Sequence, residues 1–341
     1  MRKYRVGVVG AMGAVGTQML ATLEKSSLPV EQVVPLDVKE NEGKTVVFRG
    51  TRLTVKTAEK GAFKGLDVAL FSAGEKASEV LSPIAVEEGA VVIDNSNAFR
   101  LDPDVPLVVP EVNPGAAREH RGLIANPNCS TIQMVVALKP LHDRFKIKRV
   151  VVATYQAVSG TGLPAIEEIN RQFREYVEGR ELTCRVYPYP IAFNALPQID
   201  IFMENGYSKE EMKMYNETKK IMGDNDIQVT ATAVRIPVIR CHSEAVNVET
   251  EKPLPEIEEI RAILSSAPGV KVLDDPQNKV YPMPYYCRDT DKVFVGRLRK
   301  DFTIANGLNM WVVADNLLKG AALNAVQIAE ILVKNDWLKR R

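Results

Sequence analysis

A cysteine stands where the sequence predicts the start of a helix. Asn126, Pro127 and Asn128 form a turn signal after a short apolar strand, and residues 131–138 have the pattern of a mostly apolar helix. Unpaired N–H groups and the positive end of a helix dipole favour the thiolate form of a cysteine. The stretch therefore predicts a nucleophilic thiol at Cys129.

A thiol nucleophile needs a base, and the chain has three histidines. His142 follows the helix that begins at Cys129, so at ~1.5 Å per residue it should lie about 20 Å away along the axis. His120 stands in a charged loop and is predicted to be solvated. His242, in the β-rich second half, is predicted to reach Cys129 only across a domain cleft, with a structural histidine as the alternative. Its neighbour Cys241 should not be its partner, because adjacent side chains in a strand face opposite ways. Cys241 is predicted to be packed, as most buried free cysteines are.

Basic residues suggest an anionic substrate. Arg235 lies inside an otherwise apolar strand and matches a carboxylate in bidentate geometry, although a structural ion pair is the alternative. Strict alternation would place Arg235 and His242 on opposite faces, so Pro237 is predicted to mark a bulge that realigns them. Glu217 and Lys220 are three residues apart on one helix face, where the residues alone favour a surface ion pair.

The elements that position these residues begin with a glycine turn. Residues 4–10 predict a strand and residues 17–25 a helix, with Gly10, Gly13 and Gly16 at and after the strand end. Glycines in this order let a pyrophosphate approach the backbone above a helix N-terminus. The turn predicts a dinucleotide site, and a plain tight turn is the alternative. A second glycine turn, residues 159–162, either binds cofactor or substrate or only reverses the chain.

Cofactor choice should be made at the end of the second strand. Asp37 lies where an acid that holds an adenosine ribose would be found, which favours NAD. Lys39 and Lys44 are close enough to hold a 2′-phosphate instead. From the residues alone both possibilities stay open, as does a cluster of solvated loop charges.

The composition is that of a globular protein with room for two domains. The chain has 341 residues, 45% of them hydrophobic, and 44 Lys plus Arg against 43 Asp plus Glu. We expect no nucleic-acid or membrane partner and a cytoplasmic location. Four cysteines without a C-x-x-C spacing predict neither a disulfide scaffold nor a metal site.

Residues 1–128 alternate strand and helix patterns, which predicts a Rossmann-type, mostly parallel sheet. Residues 129–311 predict an α+β catalytic and dimerisation domain on a large mixed or antiparallel sheet. A helix over residues 311–333 is predicted to pack back on the first domain, so residues 312–341 are assigned to it. The further predicted strands are 32–36, 46–48, 66–72, 90–94, 107–109, 148–157, 227–239, 245–250 and 293–299, and the further helices are 75–88, 165–178, 209–222 and 255–264.

Together these residues resemble the aspartate-β-semialdehyde dehydrogenase family nearly end to end. The matching segments are Gly10–Gly16, Phe71–Gly74, Asp94–Arg100, Val109–Pro114, Asn126–Thr131, Tyr155–Gly160, Arg235 with Arg240–Ser243, and Asp315–Ala322. The resemblance implies a glyceraldehyde-3-phosphate-dehydrogenase-like α/β fold. It also implies reversible, phosphate-dependent oxidation of L-aspartate 4-semialdehyde to 4-aspartyl phosphate, a step towards lysine, diaminopimelate, threonine and methionine.

The resemblance implies a role for each matching residue. Cys129 would form a thioacyl intermediate, His242 would be the acid/base and Gln156 would orient the intermediate. Arg235 would bind the substrate carboxylate and Glu217 its ammonium, and the phosphate would be bound by Arg100, Asn128 and Lys220. The cofactor residues would be Gly10, Met12, Gly13, Ala14, Val15, Gly16, Asp37, Lys39, Ser72, Ala73, Gly74, Ser159, Gly160 and Asn316.

The resemblance implies NADP, a homodimer or homotetramer, and an apolar subunit surface in residues 227–250. Asp37 departs from the family, which has a serine and an arginine in this segment, and it leaves NAD or dual use open. Two alternatives remain. One is a related phosphorylating aldehyde dehydrogenase or acyl-thioester reductase, acting on N-acetylglutamyl phosphate, glyceraldehyde 3-phosphate or a malonyl thioester. The other is a non-catalytic nucleotide-binding paralogue.

Overall fold

The computed structural model describes residues 2–338, which group into two compact units. The first unit consists of Met1–Asn128 and Ala321–Arg341, and the second is Cys129–Gly320. No helix within residues 2–338 is long and apolar enough to cross a membrane.

The first unit contains an all-parallel sheet of six strands in the order β5-β2-β1-β6-β7-β8, as a Rossmann-type domain requires. A short antiparallel pair, β3 and β4, stands apart from it. The strands are β1 Tyr4–Val9, β2 Val30–Asp37, β3 Thr45–Phe48, β4 Thr51–Thr54, β5 Lys56–Thr57, β6 Val68–Phe71, β7 Val91–Asp94 and β8 Leu123–Ala125, and the helices are α1 Ala14–Lys25, α2 Glu75–Glu87 and α8 Leu323–Lys334.

Both faces of this sheet are covered, which is why its strands are apolar runs without alternation. Val6 and Val8 join one buried cluster, which includes residues of α1 and α8. Val9 points to the opposite face of the sheet from Val6 and Val8, and it joins a second buried cluster there. The helix α8 therefore belongs to the first unit.

The second unit contains a mixed six-stranded sheet in the order β10-β9-β11-β14-β13-β12. The pairs β10·β9 and β12·β13 are parallel and the others are antiparallel. The strands are β9 Ile147–Gln156, β10 Gln228–Arg235, β11 His242–Thr250, β12 Val270–Val272, β13 Val293–Asp301 and β14 Gly307–Ala314, and the helices are α3 Cys129–Phe145, α4 Leu163–Val177, α5 Lys209–Met222, α6 Ile257–Ser265 and α7 Pro284–Cys287.

Two predicted elements differ from the structure: one helix is wrong at its start, and one strand does not form. Residues 311–314 are not helix: they complete β14, which pairs with β11 on one side and β13 on the other. The helical spacing of apolar residues in 311–333 is overridden there by strand pairing, and residues 312–320 lie in the second unit. Of the predicted segment 312–341, residues 339–341 lie outside the described residues. Residues 107–109 form only an isolated bridge, between Leu107 and Ala125.

Candidate active site

Three predicted site residues lie at the ends of three neighbouring strands. Gln156 ends β9, Arg235 ends β10 and pairs with Gln156, and His242 begins β11 on the other side of β9. Because β11 runs antiparallel to the other two, its first residue lies at the same edge as their last ones. The predicted bulge at Pro237 is therefore wrong. The segment 236–241 is a connection between two strands, and Cys241 within it has a positive φ of 75°.

The ring of His242 is fully buried and held in one orientation. The Ala157 N–H donates to its Nδ1 at 3.0 Å, so a neutral ring carries its proton on Nε2. Nε2 has no hydrogen-bond partner among residues 2–338. Burial, and secondarily the Arg235 charge, hold the pKa of His242 well below its usual 6.5. His242 is therefore a neutral imidazole that presents an N–H donor.

Arg235 is buried beside this ring, with 5% of its surface exposed. Its Nη1 donates to the Ala157 carbonyl at 2.7 Å. A Cβ atom added to Gly160 would lie 2.8 Å from Arg235 Nη1 and 3.3 Å from His242 Nε2, so both groups converge on this glycine. No carboxylate within the described part of the chain pairs with Arg235. A buried guanidinium without an acid partner is suited to an anionic ligand.

The partly exposed Cys129 is the first residue of α3, as predicted. Gly320 passes so close that a Cβ there would lie 2.9 Å from the Cys129 Cβ. One turn into the helix, Gln133 Nε2 donates to the His242 carbonyl at 3.4 Å. The first turn of α3 is therefore bonded to the start of β11, and Cys129 and His242 lie in the same unit, so the predicted domain cleft between them is wrong.

Gln156 is hydrogen-bonded to the helix α5, which also contains Glu217. The Gln156 amide nitrogen donates to Glu210 Oε1 at 3.2 Å and to Thr154 Oγ1 at 3.3 Å. A carboxylate can only accept, so the Gln156 carbonyl oxygen faces away from Glu210. Glu217 lies two turns further along α5 and is 1% exposed, with the half-buried Lys220 after it. A surface ion pair does not fit a glutamate buried to this extent.

Arg100 and Asn128, the other predicted phosphate ligands, are buried residues of the first unit. Arg100 Nε donates to the Asn126 carbonyl at 2.9 Å and Nη2 to the Asn95 carbonyl at 2.7 Å. The guanidinium thus supports the main chain just before Cys129. Its role towards phosphate stays a prediction.

The first unit has a cleft of about 320 Å³ above the glycine turn. The first turn of α1 contains no acid, and its N-cap residue, Gly13, has no side chain that could cap the helix, so the N–H groups of this turn suit a pyrophosphate. A Cβ on Gly16 would lie 2.0 Å from the Gly10 carbonyl oxygen, which explains the glycine there. The lining residues are Val9, Gly10, Met12, Gly13, Asp37, Val38, Asn41, Ala58, Ser72, Ala73, Ala77 and Leu81.

The other predicted cofactor residues lie in three places. Ala14, Val15 and Gly16 begin α1, Gly74 is the N-cap of α2, and Lys39 is exposed in a 3₁₀ turn, Lys39–Asn41. Ser159, Gly160 and Asn316 belong to the second unit.

Two of these residues bond to each other. Asn316 Nδ2 donates to Ser159 Oγ at 2.9 Å, and its Oδ1 accepts the Cys241 N–H at 3.0 Å.

Sequence reasoning missed several supporting residues. Ala157 orients His242 through its backbone, so no side-chain pattern could reveal it. Glu210 and Gln133 act across elements that are far apart in the chain. Asn41 lines the cleft, and its place four residues after Asp37 in a turn was a usable signal.

The remaining histidines are structural. His120 is buried, not solvated as predicted: its Nδ1 accepts the Gly122 N–H and its Nε2 lies 3.0 Å from the Trp337 carbonyl. His142 lies in the last turn of α3, far from Cys129, as expected. Cys241 is packed against Cys287, as predicted for a buried thiol, and burial raises its pKa.

Comparison with known proteins gives the same assignment from an independent direction. Residues 5–120 match the family model "Semialdehyde dehydrogenase, NAD binding domain" and residues 138–319 match "Semialdehyde dehydrogenase, dimerisation domain". An aspartate-semialdehyde dehydrogenase of Aquifex aeolicus is 56% identical over 98% of this chain and 99% of its own length.

Solved structures agree. Aspartate semialdehyde dehydrogenase II of Vibrio cholerae, complexed with ASA, has a TM-score of 0.95 at 46% identity, covering 98% of this chain and 99% of that one. A Candida albicans aspartate semialdehyde dehydrogenase with NADP has a TM-score of 0.79 at 26% identity, covering 98% and 100%. With a thiol at a helix start, a neutral histidine and a buried arginine in one unit, this chain belongs to the aspartate-semialdehyde dehydrogenase family of oxidoreductases.

Proposed function

We propose that this chain catalyses the reversible reductive dephosphorylation of L-4-aspartyl phosphate to L-aspartate 4-semialdehyde through a thioacyl intermediate on Cys129. The observation that carries the proposal is the convergence of Gln156, Arg235 and His242 at one sheet edge, in the unit that also holds Cys129. Family membership supports the substrate, and the geometry supports the role proposed for each of these side chains.

The nucleophile acts first. The Cys129 thiolate attacks the acyl carbonyl, the carbon–oxygen bond to phosphate breaks, and phosphate leaves with the electron pair. When bound, a nicotinamide cofactor supplies hydride in this direction and accepts it in the reverse one. The tetrahedral adduct on Cys129 then expels the thiolate and releases the aldehyde. The thiolate is regenerated, so the cycle consumes only the acyl phosphate and the hydride.

His242 and Gln156 act on the oxygen of these adducts. His242 offers its Nε2–H, because Nδ1 is occupied by the Ala157 N–H. A hydrogen bond from this buried neutral donor stabilises the developing oxyanion, and Nε2 keeps its proton, because losing it would leave an imidazolate anion. Glu210 holds Gln156 in a single amide orientation, so that it positions the intermediate.

The substrate's charged groups have complementary partners. Arg235 binds the α-carboxylate, since it is buried and has no acid of its own among the described residues. Glu217 binds the ammonium group. Arg100, Asn128 and Lys220 bind the phosphate, an assignment that rests on the family pattern.

The cleft of the first unit suits a nicotinamide dinucleotide. Its glycine cradle and uncapped helix start would hold the pyrophosphate, and Ser72, Ala73 and Asp37 line its walls. NADP is the cofactor named for the Candida albicans relative, and we propose it for this chain together with NAD. Ser159, Gly160 and Asn316 would contact the nicotinamide.

Substrate comparison tests the proposed function. Phosphate-dependent oxidation should be fastest with L-aspartate 4-semialdehyde, compared with N-acetylglutamate semialdehyde, glyceraldehyde 3-phosphate and malonate semialdehyde. Equal or faster turnover of an aldehyde without the α-amino group would refute the assignment.

Cys129→Ser tests the mechanism. It should lower kcat by at least about 10³-fold while cofactor binding is kept, since a neutral hydroxyl replaces the thiolate. Unchanged turnover would exclude the thioacyl pathway.

We also propose that the chain forms a homodimer through the second unit, whose residues match a dimerisation model. Exposed large apolar side chains concentrate in residues 176–207 of this unit, whereas the segment 227–250, predicted from the sequence as the subunit surface, exposes only Ile239 among them. A homotetramer and the cytoplasmic location stay predictions from the sequence.

A further inference from the structure

The carboxylate of Asp37 lines the nucleotide cleft and is held there by hydrogen bonds from the protein. Asp37 is 7% exposed at the end of β2 and lines the cleft beside Val38 and Asn41. Its Oδ2 accepts the Met12 N–H at 2.8 Å, and its Oδ1 accepts the Val38 N–H and the Asn41 amide, each at 2.8 Å. Three donors therefore hold the carboxylate in place and join it to the glycine turn.

These bonds leave acceptor capacity on one oxygen. An ionised carboxylate offers about four lone-pair sites, two on each oxygen. Oδ1 uses both of its sites on protein donors, whereas Oδ2 uses one, on Met12. A ribose hydroxyl can donate to the remaining site, but a 2′-phosphate dianion has no proton to donate and is repelled.

Nearby cations do not offset this charge. No lysine or arginine lines the cleft within the described chain. Lys44 donates its Nζ to Asn41 Oδ1 at 2.7 Å, and it thereby supports the amide that bonds to Asp37. Lys39 is exposed in a turn that also exposes Glu40, and the exposed Glu42 lies just beyond it. The two negative charges of Glu40 and Glu42 therefore cancel the two positive charges of Lys39 and Lys44.

We propose that Asp37 determines cofactor selectivity and that the chain binds NAD(H) at least as tightly as NADP(H). The inference rests on the proposed function, since it concerns the cofactor of that reaction. It goes beyond that function because it identifies the unphosphorylated adenosine ribose as the preferred ligand and Asp37 Oδ2 as the group that recognises it.

Binding to the wild-type chain is the primary test. Dissociation constants of NADH and NADPH are measured side by side by nicotinamide fluorescence, without substrate. We expect a Kd for NADH equal to or below that for NADPH. Tighter binding of NADPH overturns the proposal.

Two variants test the residue. Asp37→Ser should shift the Kd ratio towards NADPH by at least about tenfold, because the buried like charge is removed. Glu40→Gln, which removes an exposed carboxylate outside the cleft lining, should change the ratio less than about threefold. If Asp37→Ser folds and the ratio does not move, Asp37 does not determine selectivity.

Nucleotide fragments of the two cofactors provide a test on the wild-type chain that does not depend on the folding of a variant. Displacement of bound NADH from the wild-type chain by 5′-AMP should need no higher concentration than displacement by 2′,5′-ADP. The reverse order contradicts the proposal. Semialdehyde turnover separates this result from the function: activity with NADPH and weak NADH binding would overturn the selectivity alone, whereas no activity with either cofactor would overturn the function alone.

Discussion

At the scale of single residues, His242 shows how a backbone group determines a side chain's chemistry. An imidazole at the end of a strand could carry its proton on either nitrogen. The Ala157 N–H donates to Nδ1 and so assigns the proton to Nε2. Burial and the neighbouring Arg235 charge oppose a second proton. His242 can therefore donate a hydrogen bond from Nε2, but as a neutral ring it does not form an ion pair with the Cys129 thiolate.

This assignment predicts a spectroscopic result. The folded-state pKa lies below the usual 6.5, so the ring stays neutral as pH falls from about 8 to about 6, and it gains a proton only at lower pH. ¹⁵N NMR of the labelled protein should show a neutral ring protonated at Nε2 over this range. His242→Asn identifies the signal by its loss. A ring protonated at Nδ1, or titrating near pH 6.5, would contradict the assignment.

The same pKa shift has a consequence for stability. A histidine buried in its neutral form resists protonation, so stability is retained above the unfolded-state pKa and falls as pH drops below it. Acid should therefore destabilise the second unit through His242, in addition to any effect on activity.

At the scale of elements, close backbone contacts determine where glycine is required. In the turn between β1 and α1, a Cβ on Gly16 would lie 2.0 Å from the Gly10 carbonyl oxygen, which is a backbone atom that cannot move alone. The glycine thus allows the helix to start directly over the strand end. Gly115, by contrast, has no atom within 4 Å of its added Cβ.

These two glycines form a matched pair for measurement. Gly16→Ala should destabilise the chain by about 3 kcal/mol, near the upper end for overpacking, and weaken cofactor binding. Gly115→Ala should be neutral or stabilise by up to about 1 kcal/mol. Urea unfolding followed by circular dichroism compares them, and equal stabilities would show that the turn adapts to a methyl group.

At the scale of the whole molecule, exposed apolar side chains concentrate in one segment of the second unit. The side chains of α4 hold the following loop: Glu168 accepts the N–H groups of Arg185 and Val186, and Gln172 Oε1 accepts those of Ile191 and Ala192. Exposed apolar side chains lie in this loop and just after it, namely Tyr189, Phe193, Ile201, Phe202 and Met203. Exposed apolar side chains concentrated in one segment are typical of a subunit contact.

The proposed homodimer makes a prediction at this scale. Phe202→Asp should shift the mass measured by light scattering from the dimer towards the 37.8 kDa monomer, because a charge would be buried at the contact. Phe302→Asp, at a side chain that is 97% exposed in the turn after β13, is the control and should leave the mass unchanged. A wild-type monomer, or dissociation by both variants, would contradict a dimer through this surface.

The sequence by itself determined what depends on local patterns. The cysteine at the start of α3, the glycine turn after β1 and the parallel sheet all follow from residue order over short stretches. It failed for residues 311–314, where apolar helical spacing was outweighed by pairing with β11 and β13. Strand pairing joins residues far apart in the chain, so a local pattern could not predict it.

Only the tertiary structure decided how the site residues meet. Gln156, Arg235 and His242 share an edge because β9 lies between a parallel and an antiparallel neighbour, not because of a bulge. The tautomer of His242 and the occupied oxygens of Asp37 depend on backbone N–H groups, which are the same for nearly every residue type and leave no trace in the sequence. The sequence thus indicated which chemical groups take part, and the packing of distant segments determined their proton positions and available acceptor sites.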